Sequence, residues 1–427
     1  MKINTVTILG ANGTQGCNLS GIFASFGKAK VYMVCRSREK AVKAVEGAIK
    51  SVRADAIRQM LIPSDYTDLK DCIPVSDLVL ECVAEEHDVK LEIYKRIKPF
   101  IHHDTIIATV TSGLSIEKLS EVFDEEDRKN FLGLHFFNPP YHMPLCEVVP
   151  SSRTSSQLMK EMMGYLREVL YRKVVEVKDQ PAFLANRIGF QFINEALQYA
   201  EKYQDFGGID YMDAILGQFS GRSMAPLVTA DFVGLDVHKS IVDNLYQNTN
   251  DFARQTFVLP QFVKDLVSEG RLGKKSSEGL YKTVIDGDGV KQRLVYDIKT
   301  KEYRKVLQYH FPFSEQMISM LANGDYLEAM QVLISNHATE AQICLYFLIK
   351  YITYSINIAM SVSDSLHDAD TVMAAGFNWI PPLALIQALG GCDLYKNLSE
   401  KLLGIEMSHI QIPASRYDYR AFLKAKH

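Results

Sequence analysis

His135 lies in Phe131-Leu-Gly-Leu-His135-Phe-Phe-Asn138-Pro139-Pro140, and Glu147 follows beyond a proline-rich bend in Cys146-Glu-Val-Val149. A histidine with a carboxylate behind it is the minimum set for an oriented general base. The acid holds one ring nitrogen, and the other faces a substrate. A lone histidine at a strand end is more often structural than chemical, so the surroundings must decide. Phe131 to Leu134 has strand character, and the two prolines stop it because proline donates nothing to a sheet ladder. His135 is therefore expected at or just past a strand's carboxyl end, the side on which open α/β sheets bind ligands.

The elements that must position this pair begin at Val6-Thr-Ile-Leu9, a short buried strand. Gly10-Ala-Asn12-Gly13-Thr14-Gln15-Gly16 follows, then a helical stretch from Cys17 to Phe26 and a strand from Lys30 to Cys35. Strand, glycine turn, helix and strand form the nucleotide-binding βαβ unit. Its glycines admit a pyrophosphate close to the backbone, and the helix N-terminus stabilises the charge. The second strand ends in Cys35-Arg36-Ser37-Arg38, with no acid before Glu39. An acid there would take the ribose hydroxyls of NAD, whereas arginines suit the 2′-phosphate of NADP. The alternative is that Ser37 caps the next helix and both arginines are solvated.

Residues 38 to 60 read as helical and basic, 75 to 83 and 104 to 110 as strands, and 174 to 177 as a last strand. Thr154-Ser-Ser-Gln157 has the form of a capping box opening a helix. This alternation predicts an α/β, doubly wound, Rossmann-like parallel sheet over 1–180, with Glu85, Ser112 and His135 at strand ends. Pro181 is expected as the first residue of a long helix over 183–204, with Asn186 in its first turn. All-α domains follow at 181–282 and 314–427, joined by a connector of strand character at 283–313 with a turn at Asp286-Gly-Asp-Gly289. The second helical domain reads as a degenerate repeat of the first. Pro226 leads to Gly234 as Pro382 leads to Gly390, and Asn194-Glu-Ala has its counterpart in Asn357-Ile-Ala. Asn186-Arg187 has no counterpart, so the second copy is expected to be structural. Packed on the first, it would form an internal pseudo-dimer and leave the chain a monomer.

With 427 residues, two or three domains are the prior. A net charge of -4 offers no basic footprint for nucleic acid or an anionic membrane. Seven scattered cysteines without a CxxC pair argue for a reducing compartment, and nothing suggests a metal site. The chain starts straight into a strand and shows no apolar run of spanning length, so the expectation is a cytoplasmic protein without a leader or membrane segment.

Four segments together resemble the 3-hydroxyacyl-CoA dehydrogenase family. They are Gly-Leu-His135-Phe-Phe-Asn138-Pro, Thr111-Ser112-Gly-Leu-Ser-Ile, Pro181-Ala-Phe-Leu-Ala-Asn186-Arg and Leu272-Gly-Lys-Lys-Ser-Ser-Glu-Gly-Leu-Tyr281. The likeness covers residues 5 to 282, and the tail resembles the second C-terminal-domain copy of multifunctional fatty-acid oxidation proteins. It implies hydride transfer between NAD or NADP and the C3 hydroxyl of a 3-hydroxyacyl-CoA. His135 would be the base, Glu147 its orienting partner, and Ser112 and Asn186 donors to the reacting oxygen. Gly10, Asn12, Gly13, Thr14, Gln15, Gly16, Arg36, Glu85, Lys90, Ser112 and Asn138 would contact the cofactor. Three departures stand out: the extra Asn12, the missing ribose acid at Cys35-Arg36, and a shortened arm after the second strand with Val110 for the usual asparagine. They leave NAD against NADP open, and equally CoA against another small 3-hydroxy acid. A different class of reading is an inactive cofactor-binding subunit that docks hydratase or thiolase partners. The complete Ser112, His135, Glu147 and Asn186 set argues against inactivity.

Overall fold

Val6, Ile8 and Leu9 have no exposed surface, as expected of a strand covered on both faces. They belong to β1 (Thr5–Leu9) at the centre of an eight-stranded sheet. The other strands are β2 (Lys30–Cys35), β3 (Leu61–Asp65), β4 (Leu78–Glu81), β5 (Ile106–Thr109), β6 (Phe131–Phe136), β7 (Leu145–Pro150) and β8 (Lys173–Glu176). Their order is β3-β2-β1-β4-β5-β6-β7-β8. The first six are parallel and place a topological switch between β1 and β4, where such sheets bind dinucleotides. This is a computed structural model, and it describes residues 1–285, 287 and 289–417.

The structure corrects several expectations in this half. The sheet is mixed, because β7 runs antiparallel to β6 across the Pro139–Pro144 bend, and β8 is parallel to β7. β3 was not expected, since Pro63 interrupts its pattern; the strand lies at the sheet edge, where proline is tolerated. The helix after β2 ends at Val52 rather than running to residue 60, with a 3₁₀ turn and β3 beyond. No capping box forms at Thr154. Its hydroxyl donates to the Phe131 carbonyl at 2.6 Å and accepts the Ser151 N–H at 2.8 Å, so the helix begins at Ser156. Pro181 opens a turn and not a helix: Ala182 and Phe183 take φ of 56° and 54°, and the helix starts at Ala185.

Backbone packing separates residues 1–183 with 362–364 from residues 184–361 with 365–427. The second unit opens with the helix Ala185–Lys202 and continues through Ile209–Ile215, Pro226–Val233, Leu235–Asn248 and Gln261–Ser268. An antiparallel sheet of β9 (Tyr281–Ile285), β10 (Lys291–Tyr296) and β11 (Tyr303–Lys305) supplies the expected strand character, while the Asp286–Gly289 turn falls partly outside the described residues. Helices resume at Pro312 and end at Leu403; residues 404–417 are not helical, contrary to the expectation of helix to the end.

Within this unit, Ala185–Lys202 and Thr339–Val362 lie antiparallel. Arg187 meets Tyr354, Phe192 meets Tyr351 and Phe347, Glu195 meets Lys350, and Tyr199 stacks on Tyr346. Thr339–Val362 also corrects the statement that no apolar run could span a bilayer. Its length and hydropathy suffice, but 83% of its most apolar window is buried inside the protein, as in a core helix. All seven cysteines are free, and no cluster of metal-ligating side chains occurs among the described residues.

His238 is fully buried, and its Nε2–H donates to Asn194 Oδ1 at 2.9 Å while Nδ1 has no partner among the described residues. Burial pushes its pKa down to about 3. The unfolded imidazole takes a proton below about pH 6.5, whereas the folded one does so only near pH 3. Stability should therefore fall as pH drops through this window, by up to about 1.4 kcal/mol per unit. Urea unfolding from pH 7 to 4.5 measures it, and His238→Gln should flatten this part of the slope.

Candidate active site

The reversal at residues 137–144 has a chemical consequence. In the β6–β7 register His135 stands directly opposite Glu147, so the two side chains share one face of the sheet. His135 Nδ1 lies 2.7 Å from Glu147 Oε2, with His135 3% exposed and Glu147 fully buried. A buried carboxylate facing Nδ1 fixes the tautomer: Nδ1–H donates, and Nε2 carries the lone pair. The rings of Phe137, at 4.5 Å, and Phe183, at 5.5 Å, flank the imidazole and lower the local dielectric. Phe183 has a left-handed backbone, with φ of 54°.

The glycine loop crosses the carboxyl end of β1. Gly10 takes a φ of +77°, and a Cβ there would lie 2.7 Å from the Cys82 carbonyl oxygen. A Cβ on Gly16 would lie 2.7 Å from the Gly10 carbonyl oxygen, so both positions exclude larger residues. Gly13 precedes the helix Thr14–Ser25, whose first N–H groups receive no side-chain cap and remain available to an anion. Asn12, Gly13 and Thr14 are exposed along this edge. Gln15 links the loop to the histidine strand. Its Nε2–H donates to the Phe136 carbonyl at 3.0 Å, while Oε1 is buried without a partner among the described residues. A glycine cradle, an uncapped helix start and an orphaned acceptor fit a dinucleotide. The adjoining cleft, of about 710 Å³, is lined by Gly10, Asn12, Gly13, Cys82, Val83 and Ala84 at its loop end.

Lys90, expected as a direct cofactor contact, is 1% exposed and faces inward. Its ammonium donates to both oxygens of the fully buried Glu81, at 2.8 and 3.0 Å, and lies 3.4 Å from Glu85. Burial works against its charge, but the Glu81 and Glu85 carboxylates outweigh that and hold its pKa above the ordinary value. Tyr94 and Thr109 hydroxyls, at 2.7 and 2.8 Å, and the Val83 N–H, at 2.7 Å, complete the shell around Glu81. Glu85 Oε1 in turn accepts the Thr111 hydroxyl at 2.5 Å and the Ser112 N–H at 2.7 Å. The chain Glu81–Lys90–Glu85 therefore sets the loop that carries Ser112.

Asn138 is exposed just beyond β6, and Arg36 is exposed in the cleft just beyond β2. Asn186 is the second residue of the helix Ala185–Lys202 in the other unit and is buried. Sequence reasoning missed Glu81, Tyr94 and Thr109 as a group. The available signal was a carboxylate closing the apolar strand Leu78-Val-Leu, where only a buried cation could balance it.

Comparison with known proteins agrees with this arrangement. Residues 5–180 match the model of the 3-hydroxyacyl-CoA dehydrogenase NAD binding domain, and residues 183–283 match that of the 3-hydroxyacyl-CoA dehydrogenase C-terminal domain. The chain belongs to the 3-hydroxyacyl-CoA dehydrogenase family. A probable 3-hydroxyacyl-CoA dehydrogenase of Deinococcus radiodurans is 31% identical over 67% of this chain and 84% of its own length. One of Bacillus subtilis is 29% identical over 81% of this chain, a match that spans only 43% of that relative. The crystal structure of a 3-hydroxybutyryl-CoA dehydrogenase from Escherichia coli shares the fold over 95% of both chains, with a TM-score of 0.69 at 21% identity.

The Glu81 shell generates a stability prediction. Lys90→Met should cost about 3–5 kcal/mol, because it leaves a buried carboxylate without its cation. Adding Glu81→Gln should recover much of the loss. Urea unfolding of the full chain measures both, and a cost under about 1 kcal/mol for the single variant would break the assignment.

Proposed function

We propose that this protein is an NAD(P)-dependent dehydrogenase of 3-hydroxyacyl-CoA substrates. The observation that carries the reading is the buried His135–Glu147 pair, tied through Gln15 to a glycine loop of dinucleotide form. When bound, the coenzyme supplies the hydride acceptor at the substrate's C3. His135 Nε2 takes the proton of the C3 hydroxyl as the alcohol is oxidised, and Glu147 stabilises the imidazolium that forms. Ser112 donates its hydroxyl to the same oxygen and holds it in line with the base. The Glu85 carboxylate keeps Ser112 in place through the backbone N–H. The role of Asn186 as a second donor rests on the sequence motif alone. In the reverse direction the imidazolium returns the proton to the carbonyl oxygen.

We also read residues 314–403 as a second, degenerate copy of the helical part, covering the first as a partner subunit would. Three features support this. Asp213 accepts the Leu227 N–H at 2.8 Å, and Asp370 accepts the Leu383 N–H at 2.7 Å, so each proline-led helix is capped by a carboxylate from the helix before it. Gly234 and Gly390 close those helices with φ of 105° and 106°. The segments leading into them pair with each other: Arg222 bridges Trp379 in antiparallel fashion, and Ile380 N–H donates to the Gly221 carbonyl at 2.7 Å. The pairing runs through these lead-in segments, just ahead of the Pro226–Gly234 and Pro382–Gly390 helices.

His135→Gln should lower turnover by roughly two to four orders of magnitude with coenzyme binding retained. Stopped assays with acetoacetyl-CoA and fluorescence titration of the reduced coenzyme separate the two, and wild-type turnover would remove the histidine from the chemistry. For the repeat, light scattering should show a monomeric full chain. A chain ended after Tyr281 should dimerise or aggregate through the exposed face of Ala185–Lys202. A soluble monomer of that shorter form would mean that the second copy covers nothing.

A further inference from the structure

The cleft beside the glycine loop continues to a rim lined by Arg36, Tyr66, Glu92 and Arg96. Arg36 is the first residue beyond β2 and Tyr66 the first beyond β3, and the register Cys35↔Asp65 sets the two strand ends side by side. Arg96 comes from the helix His87–Ile97 and lays its guanidinium over the Tyr66 ring, 4.6 Å from the centroid. Among the described residues, no carboxylate oxygen lies within 4.0 Å of either guanidinium. Two unpaired cations thus share one rim, an arrangement that gains from an anion and loses from their mutual repulsion without one.

The carboxylates nearby do not change this balance. Asp68 is taken by Arg38, which it meets at 3.2 Å and which also donates to the Pro63 carbonyl. Asp65 accepts the N–H and hydroxyl of Thr67, at 2.9 and 2.6 Å. Among the described residues, Glu92 is the one carboxylate lining the cleft. At the last position of β2, where an acid would receive ribose hydroxyls, stands the buried Cys35. Burial pushes that thiol up to about 11, so it is neutral at physiological pH. Ser37 accepts the Lys40 N–H and starts a fifteen-residue helix whose positive end faces the same rim. The strand end therefore presents positive charge where a 2′-hydroxyl would require an acceptor.

We propose that this rim is a 2′-phosphate site and that the coenzyme is NADP(H), with Arg36 grasping the phosphate and Arg96 supplying the second charge from its seat on Tyr66. The proposal rests on the dinucleotide reading above and narrows it. Of the two arginines in Cys35-Arg36-Ser37-Arg38, it selects Arg36 and releases Arg38, whose guanidinium is already committed to Asp68 and Pro63.

Calorimetric titration of the full chain with 2′,5′-ADP, 5′-AMP, NADPH and NADH tests it without recourse to activity. The 2′-phosphorylated member of each pair should bind roughly tenfold or more tightly. Arg36→Ala should remove roughly ten- to a hundredfold from NADPH and 2′,5′-ADP and leave NADH nearly unchanged. Arg96→Ala should act in the same direction, and Arg38→Ala should keep the discrimination. Thermal unfolding of each variant without ligand separates lost binding from lost folding. Equal affinity for the two members of each pair, or an Arg36→Ala effect shared by NADH, would overturn the 2′-phosphate site and leave the dinucleotide reading standing. Absence of binding by all four nucleotides would overturn the dinucleotide reading as well.

Discussion

A carboxylate with no exposed surface must be surrounded by donors or it will not stay ionised, and Glu81 meets that requirement at the end of a central strand. Lys90, Tyr94, Thr109 and the Val83 N–H converge on it from a helix, the neighbouring strand and the following turn. The helix His87–Ile97 is thereby clamped against β4 and β5 by charge as well as by packing. The same clamp reaches outward: Lys90 holds Glu85, and Glu85 holds the backbone of Ser112. It also fixes the helix that carries Arg96 to the far rim of the cleft. One desolvated charge thus underlies both a loop of the candidate active site and a wall of the nucleotide cleft.

The second constraint is directional. A parallel β7 would have required a long crossover, whereas the short bend after Phe136 turns the chain straight back. Antiparallel pairing then sets residues face to face, and that is how an imidazole and a carboxylate twelve positions apart come to share a 2.7 Å contact. The pair is buried between aromatic rings, where a hydrogen bond to a charged group is stronger than in water. The break in the parallel pattern is therefore the feature that assembles the base, and β8 resumes parallel pairing beyond it.

The helical unit depends on a different economy. Thr339–Val362, of near-continuous apolar character, buries itself along Ala185–Lys202. Arg222, fully buried with its guanidinium 3.7 Å from the Phe192 ring and 4.6 Å from that of Trp379, sits where the two proline-led segments meet. Burial lowers its pKa to about 10, which still leaves it charged at neutral pH. Aromatic faces take the place of a carboxylate there, since among the described residues no acidic partner reaches it.

Local chemistry made much of this legible in advance. The βαβ start, the strand carrying His135 near its end, the glycine cradle and the strands near residues 281–307 all follow from patterns a few residues long, and the structure agrees with them. The partnership of His135 and Glu147 was legible too, because a histidine with a downstream carboxylate is the minimum set for an oriented base, and the two meet at 2.7 Å. What only the tertiary structure decided are the pairings between distant residues. It reversed β7, kept β3 at an edge despite Pro63, and turned Thr154 from a helix cap into a tie to β6. It drew Lys90 inward to Glu81, and it gave Arg38 a carboxylate while leaving Arg36 without one among the described residues. Each outcome depends on which groups lose water together once the sheet has formed, and residue type and spacing carry no record of that.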